Sequence, residues 1–271
     1  MCLYGYNNDM IIVEGVRGDI GSIPRRGIAR RSFLRKGLTI LLLAAGISAG
    51  IYGYTQITPH PRRRRVSGER FQLPNPRVKG GLSVEEALAK RRSIREYKDE
   101  GLTIEEVSQL LWAAQGITEP RRRFRAAPSA GATYPLETYT VFREGGVEGF
   151  EAGVYHYEPR DHSLTQLSLG DVNEELMEAA VDQEWVGKAP LNIVLTAIFE
   201  RTTWRYGERG IRYVYMEAGH VGENIYLQAT AMGLGTVVVG AFYDEEVREI
   251  LGIPEEETPL YIIPVGRPKR G

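Results

Sequence analysis

The sequence predicts an α+β domain over residues 81–271, and three observations predict it. Two capping boxes, Ser83-Val84-Glu85-Glu86 and Thr103-Ile104-Glu105-Glu106, each open a helix. Runs rich in β-branched and aromatic residues, Leu136 to Phe142 among them, read as strands. The two kinds of segment do not alternate as in a doubly wound sheet; helices are mixed with hairpins.

Element by element, the first helix reaches about Arg91 and the second, with Leu110, Leu111 and Ala114 at helical spacing, stops at Gly116. Gly153 to Tyr157 and Leu164 to Leu167 form a hairpin about Pro159-Arg160-Asp161. Asn173 to Ala180 and Gln183 to Gly187 read as helices, and Leu191 to Phe199 as a buried strand. A long helix runs from Tyr213 to Met232 and ends at Gly233-Leu234-Gly235, before a strand from Thr236 to Gly240. Asp244 opens a helix that closes at Gly252, and Leu260 to Gly266 is the last strand. No internal repeat is visible.

The near-neutral total charge hides an asymmetry: residues 1–70 carry a net +8 and the remainder a net −9. So acidic a body excludes a general nucleic-acid binder, which shows a basic footprint. Cys2 is the only cysteine, and His60, His156, His162 and His220 form no metal-binding spacing, so neither a disulfide nor a zinc site is expected.

Residues 1–52 read as an N-terminal extension and 53–80 as a linker. Arg30-Arg31-Ser32-Phe33-Leu34 before the apolar run Leu38 to Ile51 resembles a twin-arginine export signal. The run is short for a bilayer-crossing helix, which needs about 20 residues. An uncleaved anchor and a core helix stay open as readings, so membrane contact is expected only through this segment. Thr58-Pro59-His60-Pro61 and the four arginines that follow cannot form a packed core. Folded structure is expected to begin between Phe71 and Leu82.

Four segments carry candidate chemistry. Arg91, Arg92, Ser93 and Arg95 cluster guanidiniums and a hydroxyl at a helix end, which suits a phosphate and equally a solvated basic terminus. Pro128, Ser129, Ala130 and Gly131, continuing through Ala132-Thr133-Tyr134-Pro135, form a loop of small residues that a planar ligand can approach, or an ordinary connection. Val239, Gly240 and Ala241 end a strand whose amides can face a flat ring; the glycines follow a helix instead of opening one, which argues against a dinucleotide fingerprint. Arg267 and Lys269 place cations just past the last strand. Glu217, His220 and Glu223 share the long helix, where the histidine suits proton transfer or packing against a carboxylate. Arg121-Arg122-Arg123-Phe124-Arg125 is a basic run before the small-residue loop.

In this order the four segments resemble the nitroreductase superfamily over about Gly81 to Lys269. Ser129-Ala130-Gly131-Ala132-Thr133-Tyr134-Pro135-Leu136-Glu137 and the stretch Arg201 to Glu217 are similar to its SagB-type dehydrogenases, related to azoline oxidases. The resemblance implies a dimer with a central mixed or antiparallel sheet flanked by helices, and FMN bound between subunits. By position, Arg91, Arg92, Ser93 and Arg95 match the phosphate run, and Pro128, Ser129, Ala130 and Gly131 the flavin loop. Val239, Gly240 and Ala241 match the segment facing the reactive ring edge, and Arg267 or Lys269 the C-terminal phosphate cation. Ala132 and Tyr134 stand where many members have Asn and Gln, so nitro reduction is less implied than flavin binding. The expected activity is ping-pong redox transfer between a small organic substrate or NAD(P)H and an acceptor. No catalytic residue is singled out, since the flavin carries the chemistry. A non-catalytic flavin-binding protein and a membrane-anchored interaction protein on the same fold are the competing readings. Small residues Ala218, Gly219 and Gly222 are expected to allow close helix contact in a homodimer.

Overall fold

In the computed structural model the described residues are 64–65 and 68–269; the expected export segment and the start of the linker lie outside them. Helix α1 spans Val84–Lys90 and α2 Ile104–Gln115, and both capping boxes close reciprocally. Ser83 Oγ accepts the Glu86 N–H at 3.1 Å while Glu86 accepts the Ser83 N–H at 3.0 Å. Each box satisfies two amide groups that a helix start otherwise leaves without partners.

The main sheet contains β1 (Arg64–Arg65), β2 (Arg70–Gln72), β5 (Leu136–Phe142), β6 (Gly153–Glu158), β7 (Ser163–Leu169), β8 (Leu191–Ala197), β9 (Gly235–Thr236) and β10 (Thr258–Gly266). Their order is β1-β7-β6-β5-β8-β10-β9, with β2 also on β7, and every pairing is antiparallel. A separate small hairpin joins β3 (Ile117–Glu119) to β4 (Phe124–Arg125). The remaining helices are α3 (Asn173–Ala179), α4 (Glu184–Lys188), α5 (Glu200–Tyr206), α6 (Arg209–Ala231) and α7 (Asp244–Leu251). The α+β class expected from the sequence is therefore the observed one. None of the described helices is long and apolar enough to cross a membrane.

Strand β8 is buried along its whole length because both sheet faces are covered. Leu191, Ile193 and Leu195 pack with Leu110 and Leu111 of α2 and Val221 and Ile225 of α6. Val194 points the other way, toward Leu176 of α3 and Val247 and Ile250 of α7. The period-two alternation of a strand thus feeds two cores from one segment.

Three boundaries differ from the sequence reading. The long helix begins at Arg209, not Tyr213, and a separate α5 precedes it across a turn at Gly207. Helix α5 buries only Thr202, so it carries no apolar periodicity to read. The strand expected over Thr236 to Gly240 shrinks to Gly235–Thr236 plus a single bridge from Val239 to Ile262. Finally, β1 pairs with β7 upstream of the expected start, whereas β2 and the buried Leu73 fall at its near edge. An edge strand exposed at Arg70 and Gln72 leaves little hydrophobic signal.

Candidate active site

The arginine run lies on the β9 edge of the sheet. Ser93 makes a parallel bridge to Thr236, and Ile94 N–H donates to Thr236 O at 2.9 Å. The contact is tight: a Cβ on Gly235 would fall 2.7 Å from Ile94 Cγ2, so only glycine lets the run sit this close. Tyr226 of α6 ties the run to the next segment. Its hydroxyl accepts the Val238 N–H at 3.0 Å and lies 2.9 Å from Ser93 Oγ, while its ring supports the Arg91 guanidinium at 5.0 Å. Either hydroxyl can donate in the Ser93–Tyr226 pair, and when Tyr226 donates the Ser93 proton is left for a ligand. Arg95 lies over the Trp185 ring at 5.4 Å. Among the described residues no carboxylate pairs with Arg91, Arg92 or Arg95, although Arg70, Arg143, Arg201, Arg248 and Arg267 all have acidic partners.

Val239 is buried, and its N–H and C=O are exchanged with Ile262 at 2.8 and 3.0 Å. Gly240 and Ala241 emerge to the surface beyond it, and among the described residues neither N–H has an acceptor. The chain after β10 runs past the arginines: Tyr97 bridges Pro268, and Lys269 N–H donates to Glu96 O at 3.0 Å. The two C-terminal cations differ. Arg267 is gripped by both oxygens of Glu106, at 3.1 and 3.0 Å, whereas Lys269 is exposed. The structure therefore gathers Arg91, Arg92, Ser93, Arg95, Val239, Gly240, Ala241, Arg267 and Lys269 at one end of α6.

Pro128, Ser129, Ala130 and Gly131 lie elsewhere, against α5 and the first half of α6. Thr133 Oγ1 meets Thr202 Oγ1 at 2.8 Å, and Arg205 donates to Gly131 O at 3.3 Å. The loop is bent into the left-handed region at Gly131 (φ 60°), Ala132 (φ 54°) and Tyr134 (φ 46°). For the two non-glycines this costs on the order of 1 kcal/mol or more each, offset by surrounding contacts. A Cβ on Gly131 would meet the Tyr206 hydroxyl at 2.5 Å and would have to adopt the positive φ of that position, so a side chain there needs both Tyr206 to move and a strained backbone.

The profile of the Nitroreductase family matches residues 88–267, which contain both of these regions. The chain belongs to the nitroreductase family. A nitroreductase-class protein of Methanocaldococcus jannaschii is 49% identical over 200 residues, covering 74% of this chain and 98% of that one. The microcin B17-processing protein McbC of Escherichia coli is 28% identical over 165 residues, 60% of this chain and 61% of McbC. Among solved structures, a nitroreductase homologue from Ralstonia eutropha superposes with a TM-score of 0.66 at 28% identity, covering 78% of this chain and 97% of that one. A chain of the Escherichia coli microcin synthetase McbBCD complex, solved with truncated pro-microcin bound, gives 0.57 at 25% identity and 80% coverage of both chains.

The sequence reading missed two side chains here and gave a third, Glu217, only as a neighbour of His220. Tyr226 and Trp185 support the arginines, and their aromatic character alone did not distinguish them from core residues. Glu217 is the third: it is buried in the stripe Val214, Ala218, Val221 and Ile225 of α6, behind Ser129. A carboxylate at a core position of an apolar stripe was a legible signal. His220, by contrast, is exposed, and among the described residues it forms no ion pair with a carboxylate. The basic run splits, with Arg121 to Arg123 in the turn between β3 and β4 and Arg125 turned inward onto Gln115 and the Tyr134 ring. Ala218 and Gly222 face the chain's own interior, Gly222 against Val238 and Tyr261, so of the three small residues only Gly219 is exposed.

Proposed function

We propose that this nitroreductase-family chain is an FMN-dependent oxidoreductase of the SagB-type dehydrogenase branch, working as a homodimer. The observation that carries the reading is one convergence: guanidiniums without a carboxylate partner at Arg91 and Arg95, on a run tied through Ser93, Tyr226 and Val238 to the segment where the Gly240 and Ala241 N–H groups have no acceptor among the described residues, while Arg92 turns back onto Ala89 O and Arg91 O. An anion site next to hydrogen-bond donors at an exposed backbone edge fits a ring that carries a phosphate. Arg91, Ser93, Arg95 and Lys269 would hold the phosphate, and Gly240 and Ala241 the reactive ring edge. When bound, FMN supplies ping-pong transfer of hydride or electrons between a small organic substrate or NAD(P)H and an acceptor. The protein's part is to hold the phosphate, fix the ring and leave one face open.

The loop Pro128 to Gly131 completes this site from a second subunit in our reading. Glu217 behind the loop and Tyr226 behind the arginines are nine residues apart on α6, about 14 Å along its axis. A single protomer therefore holds the two half-sites at different heights. The first half of α6 and neighbouring α5 expose Trp204, Ile211, Tyr215 and Met216, an apolar patch that a second copy would cover. McbC processes microcin B17, by its name, and the likeness to it favours an organic electron donor for this chain. Residues 29–51 we read as a twin-arginine export signal, which would carry the protein out with its cofactor in place; fractionation of cells expressing the full chain tests it.

Replacing Arg91 and Arg95 together with Ala tests the phosphate assignment. FMN affinity, followed by quenching of free-flavin fluorescence, should fall at least tenfold, roughly the worth of one charge-assisted hydrogen bond. Unchanged affinity would remove the assignment.

A further inference from the structure

We propose that Glu217 is a positioning residue that holds the strained flavin-side loop in shape through Ser129; the inference deepens the FMN reading above and rests on it for its ligand. Glu217 is 2% exposed, and its Oε1 has no hydrogen-bond partner among the described residues. Ser129 Oγ accepts the Tyr134 N–H at 2.9 Å, and its hydroxyl pulls against the burial of the Glu217 carboxyl group. That acceptance commits one lone pair and leaves the hydroxyl proton for Glu217. The chain Tyr134 N–H to Ser129 O–H to Glu217 thus closes the loop across Gly131, Ala132 and Tyr134, the three positions with positive φ.

The neighbouring groups support this assignment. Arg125 is the cation that acts on Glu217, but its guanidinium is already spent on Gln115 at 3.0 Å and on the Tyr134 ring at 4.5 Å. Arg201 reaches the same loop from the other side, toward Tyr134 O at 3.4 Å, while paired with Glu137. No cation neutralises Glu217 directly, and burial pushes its carboxyl up to about 7, with Ser129 and Arg125 pulling the other way. A carboxyl group this buried and incompletely bonded is a net burden on the fold. Its position is explained by what it does for the loop, since an apolar residue would serve the helix stripe better.

The test uses Glu217→Leu, Glu217→Gln, Ser129→Ala and the Glu217→Leu/Ser129→Ala double variant. Glu217→Leu should raise the FMN dissociation constant roughly tenfold, the effect of one buried hydrogen bond. It should also speed amide exchange at Ala132 to Tyr134 in FMN-free protein, while leaving the thermal midpoint unchanged or raised. Glu217→Gln retains an acceptor for Ser129 and should restore both readouts to near wild type. Adding Ser129→Ala to Glu217→Leu should cost less than Ser129→Ala costs in wild type, since only the Tyr134 N–H bond remains to be lost. A lowered midpoint together with unchanged loop exchange would make Glu217 an ordinary core residue and overturn the proposal, as would fully additive effects of Glu217→Leu and Ser129→Ala. Should no variant bind FMN, wild type included, the cofactor reading fails by itself; the exchange of the FMN-free loop still decides the role of Glu217.

Discussion

Arg267 and Lys269 occupy equivalent places in the sequence, both basic and both just past the last strand, yet they do different things. Arg267 crosses to the start of α2, where both oxygens of Glu106 receive it. Glu106 is also the carboxylate that caps Thr103, so the pair joins the C-terminal strand to a helix start. Lys269 keeps its charge at the surface beside the arginine run. The two substitutions should therefore separate. Arg267→Ala should lower stability by about 1–3 kcal/mol, since it strands a half-buried carboxylate, with little change in FMN affinity. Lys269→Ala should weaken FMN several-fold and leave the denaturation midpoint in place. Chemical denaturation and flavin titration on the same two variants check both. The sequence showed which residues were basic, but which of two cations is already spent depends on Glu106, some 160 positions away.

At the level of elements, reading depended on how much of the local signal was apolar. Both capping boxes, β5 from Leu136 to Phe142 and the hairpin of β6 and β7 were readable because period and turn chemistry are local. Helix α5 and strand β2 were not, because tertiary contacts place them and few of their residues are buried. The loop at Pro128 to Gly131 was legible as a loop, whereas the buried Glu217 that we assign to it, nearly ninety positions on, was not. Helix α6 yields a pH prediction. Glu217 has an ordinary value of 4.5 when unfolded and about 7 when folded, so the folded state prefers it protonated. Its contribution is fully present below the unfolded value and is lost as pH rises through the folded one. FMN-free wild type should thus lose about 3 kcal/mol relative to Glu217→Gln between about pH 4.5 and pH 7. Urea midpoints of both proteins across that range measure it; parallel curves would mean the carboxyl group titrates normally.

For the whole molecule, our reading puts two half-sites at different heights of one long helix, with an exposed apolar patch beside one of them. Trp204 is 76% exposed and Met216 53%, and our reading gives this face to a second copy. Charged replacements, Trp204→Glu with Met216→Glu, should give monomers by light scattering and should lose FMN with the partner subunit. A monomer that keeps full FMN affinity would place the whole site in one chain. The central claim is tested most directly by the visible spectrum of the purified, folded protein. The account predicts stoichiometric FMN, present on isolation or regained on adding it, with bands that bleach on reduction. A folded protein that shows no flavin absorbance, even after FMN is supplied, would contradict it.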